Sequence, residues 1–516
     1  MTASGPIAPL MFDPRVAVND TGRFNYPANP PFHPPARYPE YPFDAGEIDA
    51  QNYIYEAVRQ LFVLLGLDAE HYGTPAWNPL GAIVRPGDNV VLKPNLVVSD
   101  HPDGMPGIQA SVVHGSLIRA FIDYAYIANR GQGRISVADS PIKEVDFNRV
   151  LELTGTGPMV AHLNDRYKLG IELVDFRDLQ VTRDTDRVMV QGQRLAGDPM
   201  GYRVIDLGQR SMLTEIADHA TRFRSTAAHY ENAMVEAHNH EHNLYSIPNR
   251  ILQADALISL AKLKTHRKAG VTLSLKNMVG ITNEKRWLPH HRVGSPSKGG
   301  DLFANTTRAD VKFKELAKDM LITHSWGRWG AQYVGMPLFK LYRAAAKPLL
   351  DRVYGKSAIA TVEDGDWHGN DTVWRMVLDL NTLMFYADRE GVLRDVPQRR
   401  YFSLIDGIIG GMEEGPLRPR PANSGLLAAG FNPVAVDMVC ARAMGFAIDR
   451  IPNICRAAER DWLPLGQFAP ADLAIASNAE RWRTIFASDD PGLAFTPSAG
   501  WRGHLEIGAA TNGTRR

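Results

Sequence analysis

The sequence predicts an α/β fold, a mostly parallel sheet flanked by helices, and three observations carry that expectation. Near-continuous apolar runs, Asn89 to Leu96 (NVVLKPNL) and Ile251 to Leu263 (ILQADALISLAKL), suit strands covered on both faces, as in a parallel sheet. Segments with apolar residues at helical spacing alternate with these runs. Finally, the Asn89 run, a helical pattern over Val112 to Ile127 and the strand RISVADS at Arg134–Ser140 follow in the order of a βαβ unit.

The elements follow in chain order. Tyr26 to Phe43 (YPANPPFHPPARYPEYPF) carries Pro too densely for a helix or a central strand. Residues 1–45 are therefore expected to form an extended arm, and the interleaved Tyr and Phe favour docking over a disordered leader. Such an arm lies on its own surface or wraps a neighbour, so it is the expected route to a homo-oligomer. An amphipathic helix over Ile48 to Leu65 stops at Gly66, and Pro86-Gly87-Asp88 turns the chain into the Asn89 strand. The region from about 148 to 245 reads as an irregular insertion, with strands at Ile171–Asp175 and Arg187–Gln191. Helices are expected at Val311–Ile322, at Pro337–Val353 and, with an Asn cap, at Asn370–Ala387. Strands at Tyr401–Ile405 and Gly425–Ala429 flank a Gly-rich loop, and Pro opens a last helix at Pro433–Met444. An α/β core over 46–455 and a C-terminal extension over 456–516 complete the expected organisation.

Composition excludes several function classes. Among 516 residues, Lys plus Arg and Asp plus Glu are 57 each, so no global field draws the chain to nucleic acid or to an anionic membrane. The densest apolar stretch near the N-terminus, Leu61–Leu67, is far shorter than the ~20 residues of a membrane span, and no signal peptide precedes it. The expected location is the cytoplasm. Two cysteines, Cys440 and Cys455, cannot supply a disulfide framework or an iron–sulfur cluster.

Five places offer chemistry. Lys93-Pro94-Asn95 ends the first strand, where α/β sheets bind ligands; Lys93 offers a point charge and Asn95 a donor and an acceptor. Asp139 ends the next strand, where it holds a cation, accepts a substrate hydroxyl or caps the following helix. The densest segment runs from Lys262 through Lys264, Thr265 and His266 to Thr272, Ser274, Lys276, Asn277 and Gly280. Its basic residues sit among Val, Leu and Met, which points to a partly buried anion pocket. If both halves are extended, Lys262 and Lys264 share one face, as do Thr272, Ser274 and Lys276. His290 follows closely and, with His266, is the candidate for proton transfer; His238, His240 and His242 form a separate triplet with metal-ligand spacing. Last, Asp406 opens the Gly-rich loop DGIIGGMEEGP, which matches neither nucleotide-binding glycine pattern. Should a divalent cation bind, Asp139 and Asp406 are the expected ligands ahead of the His triplet.

These blocks, VVLKPNLV, VADSP, ADALISLAKLKTHRKAGVTLSLKNMVGI, His290, HGNDTVWRMVLDLN, LIDGIIGGMEEGP and NPVAVDMVCARAMG, occur in one order. Together they resemble the bacterial and archaeal family known as domain of unknown function 362, and KxKTHxxxxVTxxxKNxxG is the most specific of them. Some members carry a ferredoxin-like pair of cysteine clusters, which this chain lacks. The resemblance implies a site rich in Lys, His, Asp and Asn but no common activity.

The function expected from the residues is an enzyme acting on a small phosphorylated or carboxylated substrate. Lys264, His266 and His290 are its candidate catalytic groups, and Lys93, Asn95, Thr272, Lys276 and Asn277 its candidate binding groups. A non-catalytic binder of an anionic metabolite or cofactor, and more remotely a scaffold docking partners through the arm, are the alternatives.

Overall fold

The computed structural model of the chain describes residues 8–43, 47–183, 189–225, 231–304 and 364–509. The helices expected at Val311–Ile322 and Pro337–Val353 lie outside these residues.

The apolar runs form strands, although the run expected from Ile251 opens with a helical turn, Asn249–Leu252, and is extended only from Ala256. In the main sheet these are β1 (Arg15–Asp20), β2 (Asn89–Pro94), β3 (Arg134–Asp139), β4 (Glu172–Asp175), β5 (Ala256–His266), β6 (Gly270–Thr272), β7 (Arg400–Met412), β8 (Arg420–Gly430) and β9 (Ala474–Ser477). Eight of them lie in the order β9-β1-β8-β7-β5-β2-β3-β4, and β6 folds back along β5. From β7 to β4 every neighbour is parallel, while β8 runs against both β7 and β1.

Alternation along the strands feeds two cores. On β5, Leu257, Ala261 and Leu263 enter one and Ala256, Ile258 and Leu260 the other. Helices α1 (Tyr53–Leu64), α3 (Gly115–Asn129) and α4 (Thr156–Tyr167) cover the second face, with the short α2 (Met105–Ser111) beside the strand ends. Helices α6 (Val373–Tyr386) and α7 (Pro433–Ala443) cover the first, giving three layers. Each fully buried Val, Leu, Ile or Phe adds about 1.5–3 kcal/mol, so the double core secures the sheet that carries the site. Asn370 does cap α6, accepting from the Thr372 and Val373 amides at 3.1 and 3.0 Å.

Two expectations are corrected. The segment after Thr272 is not extended: Ser274–Asn277 forms one helical turn, α5. Asp437 on α7 caps it, accepting from the amides of Ser274 and Leu275 at 2.7 and 2.9 Å. Nor is Asp406–Met412 a loop; it is the second half of β7. Its glycines serve close packing, since a Cβ on Gly411 would stand 2.7 Å from the Ala110 carbonyl oxygen and 3.0 Å from Lys264 Cβ. The register between β5 and β7 breaks there, so that Lys262 pairs with Asp406 but Lys264 with Gly411.

The Pro-rich segment packs on the fold. Tyr26 and Phe32 are buried, Asn52 Nδ2 donates to the carbonyls of Phe32 and His33, and Glu40 pairs with Arg59 at 2.9 Å.

Candidate functional site

The site lies at the carboxyl ends of β2, β3 and β5, where parallel strands present their last side chains to a common edge. Among the described residues six lysines gather there, and their partners differ.

Lys93 and Lys262 are neutralised. Lys93 Nζ meets Asp139 Oδ1 at 2.6 Å and also donates to Asn277 Oδ1 and the Pro94 carbonyl, which occupies all three of its protons. Lys262 Nζ lies 2.8 Å from Asp406 Oδ2 and 2.8 Å from the Tyr26 hydroxyl, which donates in turn to Asp406 Oδ1 at 2.6 Å. Tyr26 therefore reaches the site from the arm. It stacks on His114 with ring centroids 4.4 Å apart, and burial together with Lys262 pushes that imidazole down to about 3. Lys268 makes a third pair with Asp366 at 3.0 Å.

The other three lysines pair with no carboxylate among the described residues. Among the described residues Lys264 Nζ is held by neutral acceptors alone, Asn95 Oδ1 at 2.9 Å and the carbonyls of Ser111 and Pro416 at 2.5 and 3.3 Å. Burial, then the charges of Lys262 and Lys276, hold it well below the usual lysine range. Lys285 donates to the carbonyls of Ser140 and Val279 at 2.8 and 3.1 Å, and burial lowers it to about 7. Lys276 is 8% exposed and has no hydrogen-bond or ion-pair partner among the described residues. Burial, then Lys268 and Lys93, lower it to about 7.

The two histidines are complementary. His266 Nδ1 accepts from the amides of Lys268 and Ala269 at 3.0 and 3.2 Å, so the neutral ring carries its proton on Nε2. His290 Nδ1 faces the Leu288 carbonyl at 2.8 Å and must donate to it, which leaves Nε2 as the basic nitrogen. Burial lowers both, His290 to about 3, and Lys276 is the strongest charge acting on each. One ring presents a donor and the other an acceptor beside the same amine.

Other groups position these. Asn277 is fully engaged: Oδ1 accepts from Lys93, and Nδ2 donates to the Lys93 carbonyl and to Ser259 Oγ. Asn95 is likewise spent on Lys264 and on Asn277 at 3.4 Å. Lys93 and Asn277 thus frame the site with every side-chain donor engaged, while Asn95 keeps one Nδ2 proton beyond its contact with Asn277. Thr272 stands opposite Lys264 in the β5–β6 ladder, and its buried Oγ1 has no hydrogen-bond partner among the described residues. Gly280 must be glycine, because a Cβ there would stand 2.2 Å from Asp139 Oδ1 and 2.4 Å from Lys93 Nζ.

Asp139 and Asp406 do not meet. Three strand spacings separate β3 from β7, about 14 Å, which is too far to share one ion. The His triplet also fails to converge. His238 is buried, with Nε2 on the Trp287 carbonyl at 2.6 Å, while His240 and His242 face Asp218 and Asp206 outside. Sequence reasoning missed Lys285, Tyr26 and His114. Lys285 was visible as one more lysine five residues after Gly280, but nothing local tied the arm to β7.

Fold and site together define an α/β protein with an uncompensated group of buried lysines at its sheet edge. Residues 195–442 match the model of the family described as Domain of unknown function (DUF362), so the resemblance seen in the blocks is shown over that span. The span holds Lys264, His266, Lys276, His290 and Asp406 and leaves Lys93, Asn95 and Asp139 outside. Comparison with curated proteins and with solved structures found no match. Among the described residues, no helix is long and apolar enough to cross a membrane.

Proposed function

We propose that the chain is a cytoplasmic enzyme acting on a small anionic substrate, a phosphate ester or a carboxylate, at the Lys264–Lys276–Lys285 cluster. The observation that carries this reading is the charge imbalance: six lysines converge, and among the described residues only three of them have carboxylate partners. Buried amines without counter-charge cost folding free energy, and an anion removes that cost. Lys276, lowered to about 7, is charged when an anion sits against it and is a competent base or nucleophile when neutral. His266 Nε2–H would donate to an oxygen of the substrate, and His290 Nε2 would take a proton from it. Asp139 and Asp406 serve the lysines here, so this reading needs no metal at the two aspartates.

The experiment has two stages. Sulfate, inorganic phosphate and oxalate are titrated against the wild type and Lys276→Ala, following the unfolding temperature. At least one anion should raise it in the wild type only. A mixture of phosphorylated and carboxylated metabolites is then followed by NMR with wild type and His290→Gln, and conversion by the wild type alone is expected. No response to any anion sinks the reading, while anion binding without turnover leaves the binder alternative in its place.

A further inference from the structure

The arm carries a second constellation, remote from the lysines in function and in sequence pattern. His33 of the arm, Glu47 just beyond it and His162 on α4 bring their ligand atoms within 4.8 Å of one another. Glu47 Oε2 stands 3.4 Å from His33 Nε2 and 3.8 Å from His162 Nε2, and the two imidazoles meet edge to face at 5.4 Å between centroids. His162 Nε2 is buried with no hydrogen-bond partner among the described residues, although it points at a carboxylate. An imidazole nitrogen withdrawn from water and left unbonded costs free energy unless something occupies the gap.

We propose that His33, Glu47 and His162 bind one zinc ion, which clamps the arm onto α4. Two imidazoles and one carboxylate are a donor set that zinc accepts, with Zn–N and Zn–O contacts of ~2.0–2.2 Å. Tetrahedral ligand atoms at such contacts lie about 3.3 Å apart, so the 3.4 and 3.8 Å carboxylate–imidazole separations need only a small contraction, and the two imidazole nitrogens, within 4.8 Å of each other, close onto the ion. The supports are in place. Tyr167 donates to Glu47 Oε2 at 3.1 Å, and Asn52 fixes the His33 backbone through its carbonyl at 2.9 Å. Glu47 is 40% exposed, which leaves the fourth position open to water. Arg119 is the main cation acting on His33. The Arg119 charge is already offset by Asp123 at 2.9 Å. No sequence motif announces the site, because His162 comes from a different element more than a hundred positions away.

The clamp closes the stretch of arm that begins at Tyr26. The test loads the full chain with zinc alone, dialyses it and counts bound metal by native mass spectrometry. Wild type should retain one zinc more than His162→Ala and Glu47→Gln, and zinc should slow tryptic cleavage after the exposed Arg37 in the wild type only. Glu47→Gln alters a half-exposed side chain, so its folding is not at stake, and circular dichroism checks both variants. Equal zinc retention by wild type and variants, or none by the wild type, overturns the site. Zinc retention lost in the variants with no change in Arg37 cleavage overturns the clamp.

Discussion

The Lys93 ammonium and the Asp139 carboxylate meet at 2.6 Å, with neither side chain more than 3% exposed. They end neighbouring parallel strands, and the register that sets Leu92 beside Val137 brings them together. Asp139 spends its remaining capacity on the amides of Leu96 and Ser140, at 2.9 and 2.8 Å. The pair is complete and neutral, whereas Lys276, a few residues from Gly280, has no such partner among the described residues. That contrast separates lysines that hold the fold from lysines that the fold leaves to a ligand.

Breaking the complete pair should therefore be costly. Asp139→Asn strands a buried ammonium, and loss of one member of a buried ion pair costs about 3–5 kcal/mol. Urea unfolding should show that loss, while Lys276→Ala, which removes an unpaired amine, leaves stability unchanged or raised. Equal destabilisation by the two variants would mean that Lys276 is structural.

Gly280→Ala tests the packing behind the pair. Its Cβ would overlap both Asp139 Oδ1 and Lys93 Nζ, so one of the two must move and the 2.6 Å contact opens. Overpacking of this kind costs about 1–3 kcal/mol. A thermal melt of Gly280→Ala indistinguishable from wild type would show that the turn gives way at no cost.

Much of this was legible in the residues. The strands at Asn89, Arg134, Ala256 and Arg400 follow from apolar continuity, because a strand covered on both faces leaves no other pattern. The basic segment was visible for the same reason, as charge set among apolar residues. What local sequence could not show was partnership. Lys262, Lys264 and Lys276 look alike in the chain, yet the register of β5 against β7 sets Asp406 beside Lys262 and Gly411 beside Lys264, while Lys276, on α5, meets no carboxylate among the described residues. The segment from Thr272 to Asn277 misled for a related reason: its helical turn is capped by Asp437, which arrives from more than 160 positions away. Glycines 407, 410 and 411 read as a loop, although in the fold they let a strand run close against Lys264 and Leu263.

Tyr26→Phe isolates the contribution of the arm to the site. The hydroxyl donates to Asp406 at 2.6 Å and accepts from Lys262 at 2.8 Å, all three groups being buried. Its removal leaves one carboxylate oxygen and one ammonium proton short of a partner, which costs about 1–3 kcal/mol. The loss should appear in urea unfolding with the ring packing on His114 retained. A cost below about 0.5 kcal/mol would mean that water replaces the hydroxyl.

The pH dependence of anion binding follows from the lowered lysines, and its sign is fixed. Lys276 and Lys285 are each near 7 in the folded chain against 10.5 for an unperturbed lysine. Between those values the unfolded chain holds protons that the native chain has released, so the stability that burial of both lysines costs is recovered as pH rises across that window. A bound anion restores the charged form, so binding takes up protons above pH 7 and weakens as pH rises. Sulfate is the suitable probe, since it does not itself titrate near neutrality. Its affinity should fall by up to about tenfold per pH unit for each lysine between about pH 7 and pH 9. Calorimetry in buffers of different ionisation enthalpy should register net proton uptake, and Lys276→Ala should flatten the slope. Sulfate binding that is level with pH, or accompanied by proton release, would mean that these amines are not the groups facing the anion.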